Sequence, residues 1–198
     1  MRAAPPATLR TPRLIMRPWT AADAAALLPV LEANVSHLSP WIPAHVATPV
    51  PLPELAERLA GFAADFAAER AFRYVLLSAD GGQLLGEADL FPRAPSGRVS
   101  LAEADCAEIG YWLDTAATGR GLATEATRAL LDVAAALPGM THAEIRCDPA
   151  NAASAAVPRR LGFELASAAP GLQVWQTPLP SARAVVRQRR APEARPRG

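Results

Sequence analysis

The sequence predicts an α/β (α+β) domain on a mixed sheet. Three observations predict it. Helical and strand periodicities alternate along the chain, one strand–helix–strand passage near residues 107–147 has the length of a parallel crossover, and a glycine-containing turn joins that first strand to its helix. The 198 residues, 51% hydrophobic and 20% charged, suit one domain with a sizeable core. Alanine supplies 45 of the hydrophobic positions, so large apolar side chains are scarcer than the percentage suggests.

The first element is a strand over residues 13–19 (RLIMRPW), followed by Thr20-Ala-Ala-Asp23. Thr20 and Asp23 have the spacing of a capping box, so a helix should start there and kink or restart at Pro29. Residues 37–53 (HLSPWIPAHVATPVPLP) carry prolines too often for regular structure and read as a long loop facing substrate. Pro53 suits the first turn of a second helix, whose apolar face is Leu55, Leu59, Phe62 and Phe66.

Residues 72–78 and 84–91 read as strands joined by Ala79-Asp80-Gly81-Gly82, a hairpin signal. A further strand covers residues 107–113 and a helix residues 121–137, ended by Pro138-Gly139. The remainder is a strand at 142–147, a short helix at 152–160 and a closing strand pair at 163–168 and 172–177.

Charge and composition exclude several classes. All 20 basic residues are Arg, and residues 178–198 hold six of them with one Glu, leaving 14 Arg and 18 acids in the rest. The body is therefore mildly acidic, and the Pro- and Arg-rich tail has too little to bury to fold alone. No basic stripe is interleaved with aromatics, so the folded body is not expected to bind nucleic acid. No apolar run reaches the roughly 18 residues of a membrane helix, and MRAAPPAT lacks a secretory core. Cys106 and Cys147 stand far apart, and His37, His45 and His142 are single; no metal site is expected. Reduced, cytoplasmic thiols are the expected state.

Two local patterns carry chemistry. Thr118-Gly119-Arg120-Gly121-Leu122-Ala123 lies between a strand and a helix. Glycines there remove side chains from a ligand's approach, and the first helix amides are free to meet an anion such as pyrophosphate. The turn lacks the third glycine of a dinucleotide fingerprint and the Gly-Lys-Ser/Thr of a P-loop. The second pattern, Asp148-Pro-Ala-Asn151-Ala-Ala-Ser154, follows a strand and opens a helix that closes with Leu161-Gly162-Phe163.

With Glu108-Ile-Gly-Tyr-Trp-Leu113 and TGRGLATEA, this pattern resembles the GNAT superfamily of acyl-CoA-dependent N-acyltransferases, and within it the ribosomal-protein N-terminal (Rim-type) branch. The opening TPRLIMRPWTAADA is similar to the start of that branch. The resemblance covers residues 9–179, leaving 1–8 as an extension and 180–198 as a basic, disordered tail. It implies a strongly twisted mixed sheet of six or seven strands with four helices, in which two parallel strands splay to admit acetyl-CoA.

By resemblance, backbone groups of Tyr111, Trp112 and Leu113 would pair with the pantetheine arm, and Asn151 would meet it. Amides of Gly119, Arg120, Gly121, Leu122, Ala123 and Thr124 would hold the pyrophosphate, where the family usually begins the turn with Gln or Arg and this chain has Thr118. Ser154 would protonate the thiolate in a helix that lacks Tyr, and Glu108 would serve as general base. Glu87 and Asp89, which share a strand face, are the alternative acids; Glu125 is read as a complement to the helix dipole. Pro158 denies the Ser154 carbonyl its helical donor, which must be replaced, and should bend the helix. The two cysteines, early in one splayed strand and late in the other, should lie beyond disulfide reach.

These features imply an acetyl-CoA-dependent N-acetyltransferase acting on a protein N-terminus or a small-molecule amine, with a homodimer allowed. Thr118, Pro158 and the missing Tyr motivate the other reading, a non-catalytic acyl-CoA sensor.

Overall fold

The computed structural model describes residues 4–180. Among them, nine strands form one sheet: β1 (Leu9–Arg10), β2 (Leu14–Pro18), β3 (Phe72–Ser78), β4 (Leu84–Ala94), β5 (Gly97–Arg98), β6 (Cys106–Leu113), β7 (His142–Cys147), β8 (Glu164–Ala169) and β9 (Leu172–Pro178). Spatial order is β1-β2-β3-β4-β6-β7-β9-β8, with β5 paired to β4. Only β6 and β7 run parallel; the other pairs are antiparallel. The six helices are α1 (Ala24–Ala33), α2 (Val35–Leu38), α3 (Ala44–Ala47), α4 (Leu52–Ala67), α5 (Leu122–Ala136) and α6 (Ala152–Arg160).

The sheet carries a core on each face. α5 turns Leu122, Ala126, Leu130 and Ala134 onto one face, against Ala107, Ile109, Ala143 and Ile145. On the other, α1 and α4 pack Leu27, Leu31, Leu55 and Leu59 with Trp19, Val75 and Trp112. Alternation along β6 therefore sends Ile109, Tyr111 and Leu113 toward α5 and Trp112 toward α1 and α4. At the β4–β6 seam, Gly86 (φ +147°) is obligatory: a Cβ there would stand 2.1 Å from the Trp112 carbonyl oxygen.

Several expectations are corrected. The sheet has more strands and the chain more helices than the six or seven and four expected; the additions are two-residue strands (β1, β5) and one-turn helices (α2, α3), too short to imprint a period. The stretch 37–53 is not simply a loop. Pro43 and Pro51 immediately precede α3 and α4, positions where a missing N–H is harmless. α1 does not restart at Pro29: it runs through, because Pro29 and Ala25, whose carbonyl loses its donor, are exposed to water. The Thr20–Asp23 capping box forms as expected, opening a 3-10 turn ahead of α1. In the described part of the N-terminal extension, the Pro6 carbonyl accepts from the Tyr74 hydroxyl at 2.8 Å. From residue 181, the basic tail lies outside the described residues.

Candidate active site

The site begins where two strands part. β6 and β7 pair at Cys106–His142, Ala107–Ala143 and Glu108–Glu144, and no further. Beyond that point β6 stays bound to β4 as far as Leu113, and β7 stays bound to β9 as far as Cys147. Each strand is held on its outer side, so the gap between them is fixed. Backbone groups of residues 109–113 facing the gap have no strand partner there and can pair with an extended ligand. The resulting cavity, about 1250 Å³, joins both strand ends, the turn at 118–124, the start of α6 and the segment 37–46.

The turn closes one end. Asp114 caps a 3-10 turn (Thr115–Ala117) through the Ala116 N–H, and Asn34 accepts from the Thr115 N–H (2.8 Å) and hydroxyl (2.6 Å). Gly119 and Gly121 follow with φ of +71° and +76°, left-handed conformations that a side chain would strain. Gly121 is the N-cap of α5 and supplies no side-chain cap, so the first helix amides remain for a ligand. Arg13 braces this corner: its Nη1 donates to the Arg120 carbonyl (2.7 Å) and its Nε to Glu125 (2.6 Å). Glu125 also receives the Thr11 hydroxyl and the Arg13 N–H. Partial burial pushes the Glu125 carboxyl up, but these donors more than offset it and hold it below its usual range. From the first turn of α5, Glu125 thereby also anchors the opening strands. Thr118 turns its hydroxyl back to the Thr115 carbonyl (2.8 Å).

At the start of α6, Asn151 caps the helix, its Oδ1 accepting from the Ser154 N–H at 3.0 Å. Pro158 removes the donor that would reach the Ser154 carbonyl, and the Tyr111 hydroxyl takes its place at 2.9 Å. The Ser154 Oγ lies 3.3 Å from that same phenol oxygen. Burial raises the Tyr111 phenol above its ordinary value, so it remains a donor. The two predicted residues Tyr111 and Ser154 are therefore in direct contact. Burial also raises the Cys147 thiol, partly offset by the Ser154 hydroxyl and Trp175 beside it.

Acids and guanidiniums gather on the opposite face. Glu108, expected as the base, has both oxygens taken, by Arg93 Nη1 (2.6 Å) and Arg98 Nη2 (2.5 Å). Each carboxylate oxygen of Glu108 thus already holds a guanidinium. Glu87 receives Trp19 Nε1 (2.5 Å) and Arg73 Nη1 (3.1 Å). Asp89 has Arg73 Nη1 at 3.5 Å from Oδ2 and a carboxyl-to-carboxyl hydrogen bond with Glu87, and its buried Oδ1 meets no donor. Burial, followed by the Glu87 carboxylate, pushes Asp89 well above the usual carboxylate range, with Arg73 opposing. Arg73 and Arg98 both stack on Phe91, at 5.0 and 3.5 Å from the ring centre.

Sequence reasoning missed Arg73 and Arg98. The signal for Arg73 was one charge inside the apolar run FRYVLL. Trp112 contributes backbone to the gap while its ring enters the α1–α4 core. Cys106 and Cys147 are free, buried thiols. Cys106, His142 and Glu144 bring their ligand atoms within 4.8 Å of one another. Glu144 there is already engaged by Gln176 (2.6 Å) and Arg146 (3.2 Å), and burial with neighbouring carboxylates pushes the thiol to about 12.

Comparison with known proteins follows from this geometry. Residues 13–164 match the family model of the acetyltransferase (GNAT) domain. Curated protein sequences give no match. RimL, a ribosomal L7/L12 α-N-protein acetyltransferase in complex with coenzyme A, is 20% identical with a TM-score of 0.71, covering 87% of this chain and 98% of its own. The microcin C7 self-immunity acetyltransferase MccE, in complex with acetyl-CoA and AMP, is 16% identical with a TM-score of 0.74, covering 89% and 98%. Mycobacterium smegmatis RimJ, in complex with CoA-disulfide, is 24% identical with a TM-score of 0.69, covering 89% and 90%. At these identities the likeness is one of fold.

Proposed function

This chain belongs to the GNAT acetyltransferase family and is an acetyl-CoA-dependent N-acetyltransferase, and we propose that the gap between β6 and β7 presents the thioester to a primary amine. The observation that carries this reading is the end of β6–β7 pairing at Glu108 and Glu144 while both strands stay anchored outside. An extended arm can then take the hydrogen bonds that a paired strand would have made.

In this reading the backbone of Tyr111, Trp112 and Leu113 pairs with pantetheine, Asn151 meets it from the α6 cap, and the amides of residues 119–124 hold the pyrophosphate, with Arg120 beside it and Thr118 supporting the turn. The neutral amine attacks the thioester carbon, a tetrahedral oxyanion forms, and CoA leaves as thiolate. Ser154 is the proton donor to that thiolate, held against Tyr111 so that its hydroxyl stays near the leaving group.

The acceptor is a primary amine. RimL is named for a ribosomal protein's α-amine, and a protein N-terminus is the acceptor this fold supports best. The reading carries a cytoplasmic location and allows a homodimer. No helix of the described residues is long and apolar enough to cross a membrane.

The test is CoA-thiol release from acetyl-CoA with a panel of N-terminal peptides, amino-acid amides and polyamines, beside calorimetric binding of acetyl-CoA. Release with at least one amine is expected. Micromolar binding without release for any amine would make the protein an acyl-CoA sensor. No binding at millimolar acetyl-CoA would defeat both readings.

A further inference from the structure

We propose that Asp89 receives the acceptor amine and takes its proton, in a space that Gly110 leaves open on the α1–α4 face of the gap. The inference rests on the acetyl-transfer reading and names the group that performs its acceptor half.

Position comes first. Asp89 pairs with Gly110 across β4 and β6, two residues past Glu108, where β6 has just left β7. A Cβ at Gly110 would stand 3.4 Å from Asp89 Oδ2, so the missing side chain is what keeps the approach to this carboxyl clear. Both residues line the cavity. Asp89 is 6% exposed. Its Oδ1 is enclosed by protein without a donor, while Oδ2 is the oxygen that faces Gly110, with Arg73 Nη1 3.5 Å away. An amine N–H arriving over Gly110 therefore meets Oδ2.

The neighbouring acids are already occupied. Glu108 is held by two guanidiniums, and Glu87 by Trp19 and Arg73. The charged groups acting on Asp89 are Glu87 from β4, Arg73 from β3 and Arg98 from β5, with Glu108 of β6 lining the same cavity; Phe62 of α4 stacks 4.4 Å from the Arg73 guanidinium. Burial strengthens the hold of Asp89 on a proton, which shortens the climb from an ammonium of pKa ~8–10 to the carboxylate.

The step balances without a further reactant. An ammonium proton passes to ionised Asp89, the freed nitrogen bonds to the acetyl carbon to give the tetrahedral oxyanion, and its collapse breaks the carbon–sulfur bond. The nitrogen's second proton reaches the departing thiolate by way of Ser154, which gives one proton and takes one. Asp89 then returns its proton to solvent. With Arg73 and Arg98 close by and Pro40, Trp41, Ile42 and Pro43 at the rim, the pocket suits a single amine on an uncharged stem rather than a polyamine.

The test uses the full chain and the best amine of the panel above. Asp89→Asn should lower kcat/KM for the amine roughly 100-fold or more, leave acetyl-CoA affinity unchanged, and abolish the acid limb of the pH profile. Gly110→Ala, which keeps the carboxyl but fills its approach, should raise KM for the amine by a larger factor than KM for acetyl-CoA. Wild-type turnover with Asp89→Asn within threefold of it, or with the acid limb retained, overturns the role of Asp89. If Asp89→Asn does not fold, an unchanged amine KM in Gly110→Ala overturns it instead. A wild type that releases no CoA with any amine defeats the acetyl-transfer reading itself, and this inference with it.

Discussion

The Tyr111 hydroxyl donates to the Ser154 carbonyl, at 2.9 Å, in place of the helical hydrogen bond that Pro158 cannot make. A strand residue thereby completes a helix 43 positions later, and sets the first turn of α6 against the cofactor gap. Tyr111→Phe should cost about 1 kcal/mol of stability, because the half-buried Ser154 carbonyl loses its donor. In a Pro158→Ala background, where the backbone N–H returns, the same change should cost clearly less. A double-mutant cycle by denaturant unfolding reads the difference, and equal costs in both backgrounds would refute the substitution of one donor for the other.

Ser154 is expected to act on the leaving group. Ser154→Ala should lower kcat about tenfold or more while changing KM for acetyl-CoA little. The measurement is steady-state kinetics supported by a single-turnover assay, so that chemistry is known to limit the rate. An unaltered single-turnover rate would remove Ser154 from the reaction.

Gly121 combines a left-handed conformation with the mouth of an uncapped helix. Gly121→Val should weaken acetyl-CoA binding at least tenfold and lower stability by about 1–2 kcal/mol. Calorimetry and thermal unfolding separate the two effects. Unchanged affinity would show that the amides of this corner do not hold the pyrophosphate.

Asp89 makes a prediction about stability as well as catalysis. Its carboxyl binds a proton more tightly folded than unfolded, so its favourable contribution is complete below the unfolded carboxylate value of about 3.9. That contribution is lost as pH rises from there through the raised folded value. Asp89→Asn, neutral at every pH, should therefore gain stability relative to wild type on going from pH 5 to pH 8. Melting temperatures of both proteins at the two pH values test this. A difference that does not grow with pH would show that Asp89 is not strained by ionising.

Legibility in the sequence followed distance along the chain. β7 and α6 begin and end at the expected residues because Pro138-Gly139, Asp148-Pro149 and Leu161-Gly162 punctuate them locally. The turn at Gly119 and Gly121 was readable for the same reason: its geometry is a property of six consecutive residues. Partners of Glu108 were not. Arg93 and Arg98 meet it across separate strands, and β5, which carries Arg98, is too short to leave a period. The Tyr111–Ser154 contact depends on how far β6 leans from β7, a quantity no local pattern encodes. Alternation did place Glu108 and Tyr111 on opposite faces, but it could not tell which acid would keep an oxygen without a donor.

That opposition has a kinetic consequence. Ser154 and Tyr111 lie on the α5 side of the sheet and Asp89 on the α1–α4 side, so the two reactants enter through different doors. Neither product obstructs the other's exit, and no covalent relay is required. Turnover should pass through a ternary complex rather than a ping-pong cycle, with free CoA competing against acetyl-CoA and not against the amine.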